Sequence, residues 1–178
     1  MAERQLVRDL MSVGVATCPP NMPIAQVARL LLAPQPFGGQ LEAVVVLDDD
    51  GNAAGCVSQD DLVQAYTRDN HRDLTAGDVM CENVPQVPPD IPLGSAAQLM
   101  RDHGWRVVYI MHQAGGILYP AAMLSYTHLL RHMAALHDAE LQDLGIAAAR
   151  KPPLETFIEK RDAARSALHR SPHIPPQE

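Results

Sequence analysis

Two short runs of unbroken apolar residues stand out along the chain, AVVVL at 43–47 and VVYI at 107–110. A strand with one wet face alternates, so an unbroken run predicts a strand covered on both faces. Each run leads into a glycine-containing turn, DDDGN or HQAGG, and then a second apolar stretch, AAGCV (53–57) or ILYPAAML (117–124). Glycine supplies the positive φ that tight hairpins need, so two hairpins are predicted. Upstream of the first, Ile24, Val27, Ala28 and Leu31 recur at i, i+3, i+4 and i+7, the stripe of an amphipathic helix. Pro23 and Pro92 open this helix and its counterpart, because a missing N–H is harmless in a first turn. Short helices are predicted to end at Met11 and Met80, the second opened by a Thr75–Asp78 capping box. Short strands are predicted near 13–17 and 84–87, and further helices begin at Ser58 (covering 59–68) and at Ser125.

The order β-α-β-β-α therefore occurs twice, and the sequence itself is duplicated. RDLM (8–11) recurs as GDVM (77–80), and MPIAQVARLLL (22–32) as IPLGSAAQLMR (91–101), both 69 residues later. GCVSQDDL (55–62) recurs as AMLSYTHL (122–129), 67 residues later. A unit of about 60 residues is marginal alone. The expected fold is thus α/β (α+β), with repeats at 1–70 and 71–137 packed sheet to sheet as a pseudo-twofold pair. A helical extension is expected at 138–170 and a disordered tail at 171–178. The helix from Ser125 is expected to run to about Leu144, with Gly145 stopping it. A last helix, 154–168, would carry Leu154, Phe157, Ile158 and Leu168 on one face.

Composition narrows the function. The net charge of −7 argues against a nonspecific grip on nucleic acid or an anionic membrane. No run approaches the roughly 18 apolar residues of a membrane span. The opening MAERQLVRDLMS lacks the apolar core of a signal peptide, so a cytoplasmic location is expected. Cys18, Cys56 and Cys81 form no CxxC pair, which suits reduced thiols better than disulfides or zinc; Cys56 reads as a core residue within a strand, not a nucleophile. His128 and His132 share a helix face and His137 follows, but no third ligand joins them, so no metal is expected. Met100 and Met133 read as core fillers. No nucleophile–base set emerges, and no catalytic residue is expected.

The stretch GCVSQDD (55–61) poses the sharpest question. Ser58 followed three residues later by Asp61 is a capping box. The same geometry also aims a carboxylate, with two acceptor oxygens, and a helix N-terminus at whatever lies before the helix.

With the duplication and the element order, this stretch resembles the nucleotide signature of tandem CBS-domain pairs (Bateman modules): Gly, two hydrophobic residues, Ser or Thr, two spacers, Asp. The resemblance covers roughly residues 4–137 and includes the entries DLMSVGVAT and DVMCENVPQV. It implies an adenosine ligand (AMP, ADP, ATP or S-adenosylmethionine) between the repeats, acting as a regulatory ligand rather than a cofactor. Asp61 would accept from the ribose hydroxyls and Ser58 would face a phosphate. Val84 and Pro85 would surround the base, and Arg106 would approach the phosphate. In the second cleft Ser125 persists but His128 replaces the aspartate, and Glu42, aligned with Arg106, would repel phosphate; this cleft is expected not to hold a nucleotide. The resemblance also implies a homodimer joined through helical faces and, with no enzyme or channel in the chain, an unidentified effector protein acted on in trans. The competing expectation is a ligand-free interaction module in which Ser58 and Asp61 only cap a helix.

Overall fold

The computed structural model describes residues 5–34 and 40–135. In chain order its elements are α1 (Val7–Leu10), β1 (Ser12–Val13), β2 (Thr17–Cys18), α2 (Ile24–Leu32), β3 (Ala43–Leu47), β4 (Ala53–Ser58) and α3 (Gln59–Tyr66). After a 3-10 turn at His71–Asp73 come α4 (Ala76–Val79), α5 (Leu93–His103), β5 (Val107–Ala114), β6 (Ile117–Ser125) and α6 (Tyr126–Ala134). The strands make two sheets, ordered β2-β3-β4 and β1-β6-β5.

The apolar runs are covered on both faces. Val44 and Val46 of β3 pack with Val27 and Leu31 of α2. Their neighbours Ala43 and Val45 point the other way and meet Val107 and Tyr109 of β5. On the far side, Val108 and Ile110 pack with Leu93, Ala96 and Met100 of α5. Period-two alternation thus builds a layered helix–sheet–sheet–helix body.

Each half borrows the opening helix of the other. Val7 and Leu10 of α1 lie in the α5–β5–β6 core, and Val7 N–H donates to the Ile91 carbonyl at 3.0 Å. Ala76 of α4 lies in the α2–β3–β4 core, where its N–H donates to the Met22 carbonyl at 2.8 Å. The strand predicted near 13–17 is accordingly two pieces. Ser12–Val13 pairs with β6, Thr17–Cys18 pairs in parallel with β3, and Gly14, at φ 94°, turns the chain from one sheet to the other. The strand predicted near 84–87 shrinks to one parallel bridge, Gln86 to Tyr109. Pro85 and Pro88 have no N–H with which to extend the ladder.

The register also settles which residues are equivalent. Thr17 lies opposite Val45 as Gln86 lies opposite Tyr109. The Glu42 carbonyl accepts from Gln59 N–H at 3.2 Å as the Arg106 carbonyl accepts from Tyr126 N–H at 3.0 Å. Glu42 and Arg106 are therefore counterparts, as the sequence alignment proposed.

The helix beginning after Ser125 ends at Ala134, with Ala135 already extended at ψ 125°, where it packs against the α5–β5–β6 core. The expected run on to Leu144 lies outside the described residues. The extension at 138–170, the 154–168 helix and the 171–178 tail lie outside the described residues. No helix among the described residues is long and apolar enough to cross a membrane.

Gly55 on β4 is under tight constraint. A Cβ there would lie 2.6 Å from the Cys81 carbonyl oxygen and 2.9 Å from Met80 Sδ. Gly55→Ala should push the 80–81 segment off β4 and lower stability by about 1–3 kcal/mol, measured by urea unfolding.

Candidate functional site

The β4–α3 junction carries the stretch 55–61. Ser58 ends β4 and caps α3: its Oγ accepts from Asp61 N–H at 3.2 Å. Asp61 reciprocates, with Oδ2 accepting from Ser58 N–H at 2.8 Å and from Ser58 Oγ–H at 2.6 Å. Both cap bonds fall on the same carboxylate oxygen. Asp61 Oδ1 has no hydrogen-bond partner among the described residues, and Asp61 lines a cleft of about 200 Å³. The cap thus leaves one carboxylate oxygen of a cleft-lining side chain without a partner among the described residues.

The other walls come from both halves. Pro85, Trp105 and Arg106 line the cleft beside Ser58, Asp61, Asn83 and Cys81. The structure thus brings together four of the five residues expected here. Val84 is the exception. It packs against the inter-sheet core and lines a separate depression with Ala53 and Gln86. Successive side chains of an extended segment point to opposite sides, so Val84 and Pro85 do not share the cleft.

Glu42 is a second correction. Assigned from sequence to the other cleft, it lines this one, because Ala43 pairs directly with Ser58 and sets Glu42 at the start of α3. Asp60, which sequence reasoning passed over as a spacer, also lines the cleft. Its Oδ2 lies 3.8 Å from Arg106 Nε, with the two side chains 77% and 58% exposed. Three carboxylates, Glu42, Asp60 and Asp61, therefore line the cleft with one guanidinium, which is already in ion-pair contact with Asp60. Trp105, the chain's single tryptophan, was also overlooked. It stacks on His103 with centroids 4.3 Å apart; its position just before Arg106 was the available signal.

Comparison with known proteins accords with this geometry. A family model described as "CBS domain" matches twice, over residues 7–68 and 76–135. The chain belongs to the CBS-domain family. Among solved structures, the CBS pair resembles a CBS-domain-containing protein of Agrobacterium tumefaciens, at 23% identity and TM-score 0.62, covering 74% of this chain and 96% of that one. It also resembles the CBS domain pair of MJ0100, solved with 5′-methylthioadenosine and S-adenosyl-L-methionine, at 18% identity and TM-score 0.63, covering 74% and 98%. A third is CBSX2, solved with AMP, at 21% identity and TM-score 0.56, covering 72% and 96%. No match emerged among curated proteins.

The second junction of this CBS pair uses the same cap with different chemistry. His128, 7% exposed, receives the Ser125 N–H on Nδ1 at 3.1 Å, with Ser125 Oγ 2.7 Å from the same nitrogen. A nitrogen that accepts carries no proton, so the proton of the neutral ring sits on Nε2. There it meets Ser12 Oγ on the crossing strand β1. Burial, aided by the Arg131 charge, pushes the His128 pKa down to about 4. Both ring nitrogens are engaged with protein, whereas Asp61 keeps one oxygen open. Ser12 lies opposite Met123 where Cys81 lies opposite Cys56. His132, one turn on, lines a groove with Leu93, Leu129 and Met133. Among the described residues no group of three or more His, Cys, Asp or Glu gathers to hold a metal.

Proposed function

We propose that the chain is a regulatory module that binds one adenosine ligand per molecule, in the Ser58–Asp61 cleft, and signals occupancy to a partner protein in trans. The observation that carries this reading is the division of labour in Asp61. Oδ2 is fixed by Ser58, which orients the carboxylate, and Oδ1 is left to accept a ribose hydroxyl. Pro85 and Trp105 supply apolar surface for the base. In the other half, His128 spends both nitrogens on Ser125 and Ser12, so that cleft offers no equivalent acceptor.

The charges indicate which adenosine ligand. The start of α3 and Arg106 favour an anion. Against them stand Glu42, Asp60 and Asp61, and Arg106 already faces Asp60. Two unit charges 4 Å apart interact by about 1 kcal/mol in water and by about 4 kcal/mol near a protein surface. Three carboxylates against one guanidinium therefore disfavour a polyphosphate. We assign the ligand to the phosphate-free adenosines, S-adenosylmethionine or methylthioadenosine. The complex of the MJ0100 pair with these molecules supports the choice, and the AMP complex of CBSX2 stands as its competitor.

In calorimetric titrations, S-adenosylmethionine should bind about tenfold or more tightly than AMP or ATP, a difference of about 1.4 kcal/mol. Stronger binding of ATP would overturn the ligand assignment. Heat from none of the three would overturn the sensor and leave an interaction module.

A cytoplasmic homodimer is part of the proposal. The dimer, not the location, is supported by the face of α6, where Leu130 and Met133 are 63% and 77% exposed beside the groove lined by Leu93 and Leu129.

A further inference from the structure

Cys56 and Cys81 lie directly opposite one another, on β4 and on the segment leading to Pro85. They exchange both backbone hydrogen bonds: Cys56 N–H donates to the Cys81 carbonyl, and Cys81 N–H to the Cys56 carbonyl, each at 2.9 Å. Such a pair holds its Cα atoms about 5.5 Å apart with both side chains on one face. That separation falls inside the roughly 4.4–6.8 Å range that a disulfide spans. Both residues line the Asp61 cleft. Cys56 is buried and Cys81 is exposed. The counterpart pair in the other half is Met123 opposite Ser12, so the feature belongs to the ligand cleft alone.

We propose that Cys56 and Cys81 form a reversible dithiol–disulfide pair that ties the two walls of the cleft together under oxidising conditions. The exposed Cys81 begins the exchange. Its thiolate attacks one sulfur of a small disulfide of the oxidised-glutathione type, forming a mixed disulfide and releasing one glutathione thiolate. Cys56 then attacks the Cys81 sulfur of the mixed disulfide and expels the second glutathione. The protein dithiol loses two electrons, the small disulfide gains them, and the two thiol protons leave on the two glutathiones. This order follows from burial, which together with the Cys81 and Asp61 charges pushes the Cys56 thiol up to about 12. Once Cys81 is held in the mixed disulfide its charge no longer opposes ionisation of Cys56, whose proton passes to the departing glutathione thiolate as Cys56 attacks. A hydrogen-bonded pair sets its Cβ atoms wider than the usual disulfide spacing of roughly 3.5–4.5 Å, and strain of that kind makes a bridge easy to reduce. Cys18 is an internal control, because it is buried against α2 on the opposite face of the same sheet.

The test is a titration of the full chain in glutathione buffers of rising oxidised fraction, acid-quenched, alkylated in denaturant and read by peptide mass. The wild-type protein has three cysteines and should end with Cys18 alkylated and a peptide joining Cys56 to Cys81. Cys18→Ser should form the same bridge. Cys56→Ser should stop at a stable glutathione adduct on Cys81, since the resolving thiol is gone. Either of two wild-type results would overturn the proposal: all thiols still alkylated in the most oxidising buffer, or a stable Cys81 adduct beside an alkylated Cys56.

Discussion

Between pH 7 and pH 4 the wild-type protein should lose about 3 kcal/mol of stability that a His128→Asn variant does not lose. In the unfolded chain this imidazole takes its proton near the ordinary value of 6.5, whereas in the folded protein it does so only near 4. Between those limits the unfolded state holds more protons, so acid favours it. The contribution is complete above about pH 6.5, fades as the pH falls, and no longer changes below about pH 4. The cause is burial, aided by the Arg131 charge; a proton on Nδ1 would also point at the Ser125 N–H that this nitrogen now accepts. An asparagine offers a carbonyl oxygen to Ser125 without titrating. Carboxylates elsewhere titrate alike in both proteins and cancel in the difference. Urea unfolding of the two proteins at pH 7, 5.5 and 4 makes the comparison. Parallel curves would show that His128 is not held neutral by the fold.

Asp61→Asn should weaken binding of the adenosine ligand by about 10- to 100-fold while leaving the fold almost as stable. A hydrogen bond to a charged group is worth about 1.5–3 kcal/mol, and the geometry indicates which one is lost. Ser58 donates twice to Oδ2, so the single carbonyl oxygen of asparagine is drawn to the cap. The amide NH2 then faces the cleft where Oδ1 stood, a donor in place of an acceptor. Asp61→Ala should remove the cap as well and cost about 1 kcal/mol of stability. Equal ligand affinity in wild type and Asp61→Asn, by calorimetry, would reduce Asp61 to a helix cap.

The features legible in the sequence were those that depend on neighbours in the chain. The capping geometries at Thr75–Asp78 and Ser58–Asp61 were readable because they join residues three apart. The buried strands were readable because unbroken apolar runs have one stable use. The exchange of α1 and α4 between the halves was not readable, because it depends on which core each short helix reaches, and both cores present similar apolar surfaces. It hid the contact of His128 with Ser12, which lie 116 positions apart. Glu42 was misplaced for a related reason: its register with β4 is a local fact, but the cleft its side chain faces is a tertiary one. Val84 and Pro85 were treated as a unit, although alternation along an extended segment separates them. The end of α6 at Ala134 carries no glycine or proline signal; Ala135, already extended, packs on the core.

The measurement that bears most directly on the sensor reading is a stoichiometric titration of the full chain with S-adenosylmethionine. It would be followed by heat and by the fluorescence of Trp105 in the cleft wall. One site per chain is expected, with the fluorescence change saturating at the same equivalence point. Binding should be weakened about 10- to 100-fold in Asp61→Asn and unchanged in His128→Asn. Two equivalent sites per chain, or a single site indifferent to Asp61, would contradict the assignment of the Ser58–Asp61 cleft as the place where this CBS pair meets its ligand.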